Sequence, residues 1–321
     1  PPMSQVSVVG GGIIGLTSAL ALQDAGFDVT LLADRPGLES VSGVAGALWH
    51  PFRCAPPALV SRQAALTRAW YNQLAQEHPS AGVDILDLYE LRDTEETPWW
   101  SADTPDLRPM HSGFPGGDAL IAWHVKAPRA EPGLLIPWLE SLLIRPIVRR
   151  KVLSFQSVPG DLVVNCTGLG ARSLLHDPDL QAIFGHVVVV EPGDIDPGVS
   201  ISRSWPDDSV FYSIPRRSEV VLGGCVEPCS DDRPLIPSPA TRDAILLRAR
   251  QAGLRPGRVI REACGLRPFR TSIRVQREGR VIHNYGHGGA GYTLCWGSAL
   301  DVVRLALSHA TDPGDTPALV T

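Results

Sequence analysis

Three glycines near the start of the chain have the spacing of a nucleotide-binding turn. Gly10, Gly12 and Gly15 follow the apolar run 6–9 and open the helical apolar pattern of 13–25. In such a unit the first glycine permits the tight turn, the second lets a pyrophosphate approach the backbone, and the third lets the helix pack on the strand. The N-terminus of the helix also favours negative charge. The pattern therefore predicts a dinucleotide site, without separating NAD from FAD.

An acidic residue follows at the place where the ribose of such a nucleotide would lie. Asp34 comes just after the predicted strand 28–32. A carboxylate at the end of the second strand accepts hydrogen bonds from ribose hydroxyls. Arg35 beside it keeps a 2′-phosphate, and so NADP, open as an alternative. The alternative is that no nucleotide binds and that the glycines serve only the packing of the turn.

A second glycine-rich turn lies near the other end of the chain. Four glycines between 286 and 291 separate the predicted strand 280–284 from the predicted helix 291–309. Such a turn permits close backbone approach and presents a helix start to negative charge. This predicts contact with the other end of the same cofactor, where a helix start would stabilise the anionic edge of a reduced flavin. A flexible glycine loop is the alternative.

One arginine at a strand end could hold a carboxylate. Arg267 lies in the segment 265–270, and a guanidinium binds a carboxylate through two parallel N–H donors. Arg and Lys together number 29, so any single arginine is more often a solvated or ion-paired surface group. Only Lys126 and Lys151 are lysines, which nearly excludes Schiff-base chemistry.

Composition narrows the class of protein. The 321 residues are 44% hydrophobic and 20% charged, as in a globular chain of about two domains. A net charge of −5 offers no basic surface for nucleic acid or an anionic membrane. The uncharged residues 1–23 are interrupted by glycines and predict strand, turn and helix rather than a signal peptide. Since the C-terminus is not a peroxisomal signal either, we expect a cytoplasmic protein.

The elements that position these groups predict an α/β protein. Only the first 33 residues alternate cleanly as β-α-β, while the middle of the chain resembles a mixed or antiparallel sheet. Further helices are predicted at 58–77, 131–144, 239–252 and 291–309. Further strands are predicted at 85–92, 121–126, 146–155, 161–165, 186–191, 209–215, 219–226, 257–266, 272–278 and 280–284.

Taken together, these segments resemble the D-amino-acid oxidase family, which includes the D-aspartate oxidases. The matching segments run in family order over nearly the whole chain: 8–16, 33–35, 46–51, 163–168, 212–215, 222–224, 265–268 and 282–289, followed by Gly291 and Thr293. The resemblance implies a Rossmann-like FAD-binding domain with an inserted substrate domain on a mixed, largely antiparallel sheet. The first would comprise 3–80, 131–190 and 279–321, and the second 81–130 and 191–278.

The resemblance also implies an activity. An FAD-dependent oxidase of this kind converts D-amino acids, here neutral ones by preference, into 2-oxo acids, ammonia and hydrogen peroxide. The substrate Cα hydrogen leaves as hydride to flavin N5, and no side chain acts as acid or base. FAD is bound noncovalently. The partners implied are a small D-amino acid and dioxygen, with no nucleic acid and no membrane; a homo-oligomer stays open.

The family's site residues map onto this chain residue by residue. Arg267 and Tyr212 match the residues that bind the substrate carboxylate, and the Gly289 carbonyl matches the acceptor for the amine. The substrate set is completed by Leu48, His50 and Ile214. The cofactor set is Gly10, Gly12, Ile13, Ile14, Gly15, Asp34, Arg35, Ser42, Gly46, Ala47, Leu48, Val152, Cys166, Thr167, Gly168, Arg267, Gly288, Gly289, Ala290, Gly291, Tyr292 and Thr293.

The chain departs from the family pattern at several positions. Asp208 replaces a second pocket tyrosine of the animal enzymes, His50 replaces a glutamine, and 184–186 reads Phe-Gly-His where the family often has Arg-Gly-Gln. His50 has a plain alternative as a core or channel-rim histidine. Val226 stands where D-aspartate oxidases place an arginine, which favours neutral substrates. The arginines that could still reach the pocket are Arg53, Arg216 and Arg217.

Several other functions stay open at this point. Within the oxidases, a D-aspartate oxidase or a glycine/sarcosine-type amine oxidase would share the flavin fold. An NAD(P)-dependent dehydrogenase would need no second glycine turn before the last helix. A non-catalytic nucleotide-binding module would need no arginine, tyrosine and glycine carbonyl in one pocket.

Overall fold

The N-terminal segment folds as the predicted β-α-β unit. The computed structural model describes residues 4–207 and 209–308. Strand β1 (Gln5–Val9) leads through the glycine turn into helix α1 (Ile13–Asp24), which is followed by strand β2 (Asp28–Ala33). The two strands pair in parallel. Four of the five residues of β1 are buried, as expected for a central strand of a parallel sheet.

Five further helices follow in the described part of the chain. They are α2 (Pro57–Glu77), α3 (Pro132–Ser141), α4 (Gly170–Leu175), α5 (Pro239–Gln251) and α6 (Gly291–Leu307). Three of them begin at a proline, whose fixed φ suits the first turn and whose missing N–H would have no intrahelical partner there. Short 3-10 helices lie at Gly37–Glu39, Val41–Val44, Pro79–Ala81, Ser101–Asp103 and Phe155–Ser157. Within 4–207 and 209–308, no helix combines the length and apolarity of a membrane span.

The remaining strands extend β1 and β2 into one mixed sheet. They are β3 (Val83–Arg92), β4 (Arg108–Met110), β5 (Ile121–Ala130), β6 (Val148–Arg149), β7 (Leu162–Asn165), β8 (Leu180–Val190), β9 (Val199–Ser204), β10 (Val210–Pro215), β11 (Val220–Gly223), β12 (Glu227–Cys229), β13 (Val259–Glu278) and β14 (Val281–His287).

Strand order separates a parallel part of the sheet from a largely antiparallel part. The order is β4-β5-β3-β9-β10-β11-β8-β13-β14-β7-β1-β2-β6, with β12 paired to β8. The strands from β14 to β6 are parallel to one another. The others pair antiparallel, except β3 with β9. The predicted α/β class with a mixed, largely antiparallel second part is confirmed.

Helix α6 brings the last described segment of the chain against the first helices. It packs beside α1 and α2, and the hydroxyl of Thr17 in α1 donates to the Cys295 carbonyl at 3.2 Å. From α2, Thr67 accepts a hydrogen bond from the Gly297 amide at 2.9 Å. A Cβ added at Gly291 would lie 3.7 Å from Ile13. The starts of α1 and α6, each preceded by a glycine turn, therefore lie side by side.

Several predicted boundaries were wrong. Only Val148–Arg149 of the predicted strand 146–155 forms a strand, because this exposed edge segment has β2 as its single neighbour among the described strands. The predicted strands 257–266 and 272–278 form one strand, β13, with a register shift between Phe269 and Arg274. The predicted strand 219–226 ends as β11 at Gly223. Strands β4, β9 and β12 and helix α4 were not predicted.

The division into two domains stays a prediction. One path of strand pairing runs from β2 to β5 through both predicted domains. Strand β8, placed at the end of an FAD-domain segment, pairs with β11 and β13, which lie in the predicted substrate domain.

Candidate active site

A cleft of about 470 Å³ opens between the two parts of the sheet. Its wall combines the start of α1, the segment after β7, the faces of β8, β10 and β13, and the turn before α6. The predicted residues that line it are Ile13, Ile14, Ser42, Gly46, Ala47, Leu48, His50, Cys166, Gly168, Tyr212, Ile214, Arg267, Gly288, Gly289, Gly291 and Tyr292. The tertiary structure thus brings segments from all along the chain to one cleft.

The first glycine turn packs so closely against its neighbours that it has no space for side chains. Gly10 has φ +118°, which favours glycine, and a Cβ there would overlap the Cys166 carbonyl. A Cβ at Gly15 would overlap the carbonyl oxygen of Gly10, and one at Gly12 would lie 2.9 Å from Ser42 Oγ. Ser42 Oγ also accepts a hydrogen bond from the Ile13 amide at 3.0 Å. This bare backbone at a helix start fits the diphosphate of a dinucleotide.

Asp34 and Arg35 lie exposed at the end of β2. The Asp34 carbonyl accepts a hydrogen bond from Arg149 at 3.2 Å, and that arginine pairs with Glu39. The Asp34 carboxylate accepts no hydrogen bond from residues 4–207 and 209–308. It is therefore available to ribose hydroxyls at the end of the second parallel strand, where a dinucleotide presents them.

The second glycine turn holds a buried histidine that the motif contained but the sequence did not assign. The amide of Gly288 donates to the Pro268 carbonyl at 2.8 Å, which joins the turn to β13. His287 lines the cleft, and its Nε2 is buried without a hydrogen-bond partner among the described residues. Burial lowers the pKa of His287 to about 4. The imidazole is therefore neutral at physiological pH and adds no charge to the cleft.

Arg267 offers one edge of its guanidinium to the cleft. Its Nη1 donates to the carbonyl of Cys225 at 2.9 Å. Its Nε and Nη2 make no hydrogen bond within the described part of the chain. A Cβ at Gly289 would lie 3.6 Å from Arg267 Cδ, so the arginine and the glycine turn are neighbours. An anchored guanidinium with free donors can hold a carboxylate in a fixed orientation.

Tyr212 and Ile214 share the cleft face of β10. Both line the cleft, whereas Ser213 between them is buried on the other face and its carbonyl accepts the Ser200 hydroxyl. The alternation predicted from the sequence is confirmed. The Tyr212 hydroxyl has no hydrogen-bond partner in the described chain, so it can serve a ligand.

His50 lies on the cleft wall and is paired with a carboxylate that the sequence analysis missed. Its Nε2 lies 3.0 Å from Oε2 of Glu90 on β3. Burial alone would raise the pKa of Glu90, but the hydrogen bonds and charges of His50 and Arg92 together hold it below its ordinary value. The backbone of His50 is bonded twice to the Thr293 hydroxyl. No sequence signal singles out Glu90, because β3 carries three other charged residues, Asp84, Asp87 and Arg92.

Besides the first glycine turn and the pair Asp34 and Arg35, four residues of the predicted cofactor set do not line the cleft. Val152 packs in an apolar cluster with Val9, and Thr167 donates to Asn165 Oδ1 at 2.8 Å. Ala290 is buried beside Trp49, and the Thr293 hydroxyl is engaged with His50 as described above. A direct contact of these four residues with a cofactor stays a prediction.

The residues that could bring charge to the pocket differ in whether they line the cleft. Arg216 pairs with Glu219 at 2.9 Å, and Arg217 pairs with Asp84 at 3.0 Å; neither lines the cleft. Arg53 does line it, as does the uncharged Val226. The remaining pocket candidate, Asp208, lies outside the described residues.

Comparisons with known proteins agree on one family. The family model described as "DAO: FAD dependent oxidoreductase" matches residues 5–305. A D-amino-acid oxidase of Streptomyces coelicolor is 36% identical over 94% of this chain and 96% of its own, and one of Rubrobacter xylanophilus is 34% identical over 95% and 96%. A human D-aspartate oxidase is 29% identical over 94% of each chain. The solved glycine oxidase of Bacillus cereus superposes with a TM-score of 0.76 at 19% identity, over 95% of each chain, which shows the shared fold.

Proposed function

Because this chain belongs to the DAO family of FAD-dependent oxidoreductases, we propose that it oxidises D-amino acids to 2-oxo acids, ammonia and hydrogen peroxide. The observation that carries this proposal is the convergence of Arg267, Tyr212 and the Gly289 backbone on one cleft beside two glycine turns. In the overall reaction the amino acid loses two hydrogens to dioxygen, and water replaces the nitrogen of the resulting imino acid.

Two sets of backbone and side-chain groups would hold the cofactor. Gly10, Gly12 and Gly15 shape the tight turn that leads into α1, whose backbone N–H groups would hold the diphosphate of FAD, and Asp34 would accept hydrogen bonds from its ribose. The start of α6 after Gly289 faces the other end of the cleft with its positive dipole end. FAD, when bound there, supplies the two-electron acceptor of the reaction.

The chain's own residues orient the substrate. The free edge of Arg267 holds the carboxylate, and the Tyr212 hydroxyl donates to the same group. The Gly289 carbonyl accepts a hydrogen bond from the amine. The side chains of Leu48 and Ile214 exclude water from the Cα atom. Because its carboxylate and its amine are both held, the substrate presents its Cα hydrogen in one orientation. The step therefore depends on positioning and not on a catalytic acid or base.

The reaction is tested by colour under anaerobic conditions. The purified protein is expected to be yellow, to bleach when D-alanine is added without oxygen, and to recover in air with release of peroxide. L-alanine serves as the matched control, because it has the same groups and the opposite configuration. Bleaching by glycine or sarcosine but by no D-amino acid would indicate the amine-oxidase alternative. A colourless protein that reduces NAD(P) would overturn the proposal.

We further propose that neutral side chains are preferred. An acidic substrate carries a second carboxylate, and burying it without a cation costs several kcal/mol. Val226, at the position where D-aspartate oxidases place an arginine, lines the cleft and supplies no charge; Arg53, whose guanidinium lies 5.1 Å from the Phe52 ring centroid, is the second arginine on the cleft wall and the residue that could oppose this preference. We expect kcat/KM for D-valine to exceed that for D-aspartate by about 100-fold, which corresponds to about 2.7 kcal/mol.

A gain-of-function variant provides the control for this preference. Val226→Arg places a cation on the cleft wall and is expected to raise kcat/KM for D-aspartate while lowering that for D-valine. A parent protein that already prefers D-aspartate would contradict the neutral preference. The second carboxylate would then be assigned to Arg53, which lines the cleft.

A cytoplasmic location is also proposed. The six cysteines, all within the described residues, are free thiols. Thiols persist in a reducing compartment, whereas secreted proteins tend to pair them.

A further inference from the structure

Two glycines lie directly beneath the two side chains assigned to the substrate carboxylate, and one of them, Gly185, lines the cleft. A Cβ added at Gly185 on β8 would lie 2.5 Å from Cζ and Nη2 of Arg267 and 2.7 Å from its Nη1. A Cβ added at Gly223 on β11 would overlap the ring and hydroxyl of Tyr212. At both positions, the three nearest atoms all belong to that one overlying side chain.

The strand order explains why these contacts bring Arg267 and Tyr212 together. The four strands lie in the order β10, β11, β8, β13. Tyr212 on β10 lies over Gly223 on β11, and Arg267 on β13 lies over Gly185 on β8. The two side chains start on the outer strands and cross the inner ones, so they lean toward each other from opposite sides.

Backbone geometry does not account for either glycine. Neither Gly185 nor Gly223 has a positive φ, in contrast to the adjacent Gly224 at +146°. Both lie in regular antiparallel ladders, where glycine costs stability relative to other residues. The overlying side chains are therefore the physical reason for having no side chain at these two positions.

The hydrogen bond that anchors the Arg267 guanidinium is made close to these two glycines. Its Nη1 donates to the carbonyl of Cys225, two residues beyond Gly223. Nη1 also donates to the Phe184 carbonyl, next to Gly185, at 3.5 Å, and the two bonds hold the guanidinium over Gly185 while Nε and Nη2 have no partner among the described residues. A methyl group beneath the guanidinium would lift it and break this alignment.

We propose that Gly185 and Gly223 are positioning residues that set the carboxylate-binding geometry of the cleft by seating Arg267 and Tyr212. The inference rests on the proposed function, since it concerns how the same cleft binds its substrate. Substrate recognition then depends on the lack of a side chain at the two glycines as well as on the side chains of Arg267 and Tyr212.

The test is a double-mutant cycle between positions 185 and 267. Gly185→Ala is expected to raise the KM for D-alanine about 10- to 100-fold, the range of a charge-assisted hydrogen bond, with a smaller effect on kcat and with FAD retained. In an Arg267→Ala background, the same Gly185→Ala change is expected to add almost no further loss, because the seated group is gone. Equal losses in both backgrounds would overturn the proposal.

Folding of the variants provides a second readout. If Gly185→Ala does not fold but Gly185→Ala/Arg267→Ala does, the added methyl acts through the guanidinium, which supports the proposal. If both fail to fold, the methyl meets something else and the proposal is wrong. Gly223→Ala, tested likewise against Tyr212→Ala, is expected to show the same pattern with a smaller loss.

The outcomes separate this inference from the proposed function. A parent protein that no D-amino acid reduces would contradict the function itself. A parent that oxidises D-alanine, together with a Gly185→Ala variant of unchanged KM, would contradict only the positioning role.

Discussion

Arg267→Ala is expected to raise the KM for D-alanine by about two to three orders of magnitude. The substrate carboxylate leaves water on binding, and breaking a buried charge pair from one side costs about 3–5 kcal/mol. Arg267→Lys is expected to recover only part of the loss, because an ammonium lacks the planar fork and the length to keep the bond to Cys225. Steady-state kinetics with D-alanine measure both effects.

The flavin spectrum and the thermal unfolding temperature provide the controls for this series. Both are expected to stay close to those of the parent, because within the described residues the Arg267 side chain donates only from Nη1, to the carbonyls of Cys225 at 2.9 Å and Phe184 at 3.5 Å. Tyr212→Phe removes one neutral donor and is expected to raise the KM by about fivefold, or about 1 kcal/mol. Arg267→Ala with unchanged turnover at low D-alanine would remove this residue from the site.

Gly15→Ala is expected to yield a protein that is purified without its cofactor. The added Cβ would overlap the carbonyl oxygen of Gly10, a backbone atom that cannot rotate away. Gly10 in turn is held by its amide, which donates to the Leu32 carbonyl at 2.8 Å. Helix α1 must therefore move away from the turn, and overpacking of this kind costs about 1–3 kcal/mol or more. We expect FAD affinity to fall by at least about 100-fold, or about 2.7 kcal/mol.

A matched glycine elsewhere in the chain separates this clash from the substitution itself. Gly133 is exposed in α3, and a Cβ there meets nothing within 4 Å. Gly133→Ala is expected to retain FAD and to unfold at the parent temperature or slightly above it, since alanine is the better helix former. The ratio of FAD to protein and a fluorescence titration of the apoprotein measure the difference. A Gly15→Ala protein that carries one FAD per chain would show that the turn tolerates a side chain.

The parts of the fold and of the site that the sequence predicts are determined by residues close together in the chain. The β-α-β unit follows from the apolar run of β1, the glycines and the helical pattern of α1, which all lie within one short segment. The shared cleft face of Tyr212 and Ile214 follows from the alternation of a single strand. Such patterns show which side of an element is buried, because the periodicity of helix and strand is a local property.

The order of the strands and the contacts between side chains were decided only by the tertiary structure. The pairing of His50 with Glu90 joins residues 40 positions apart, and the bond from Arg267 to Cys225 spans 42. The continuity of β13 depends on its pairing with β8 along most of its length. Periodicity does not specify which strands become neighbours, so these contacts depend on packing between distant segments. For the same reason the cleft position of Arg53, and the glycine beneath Arg267, emerged only from the folded chain.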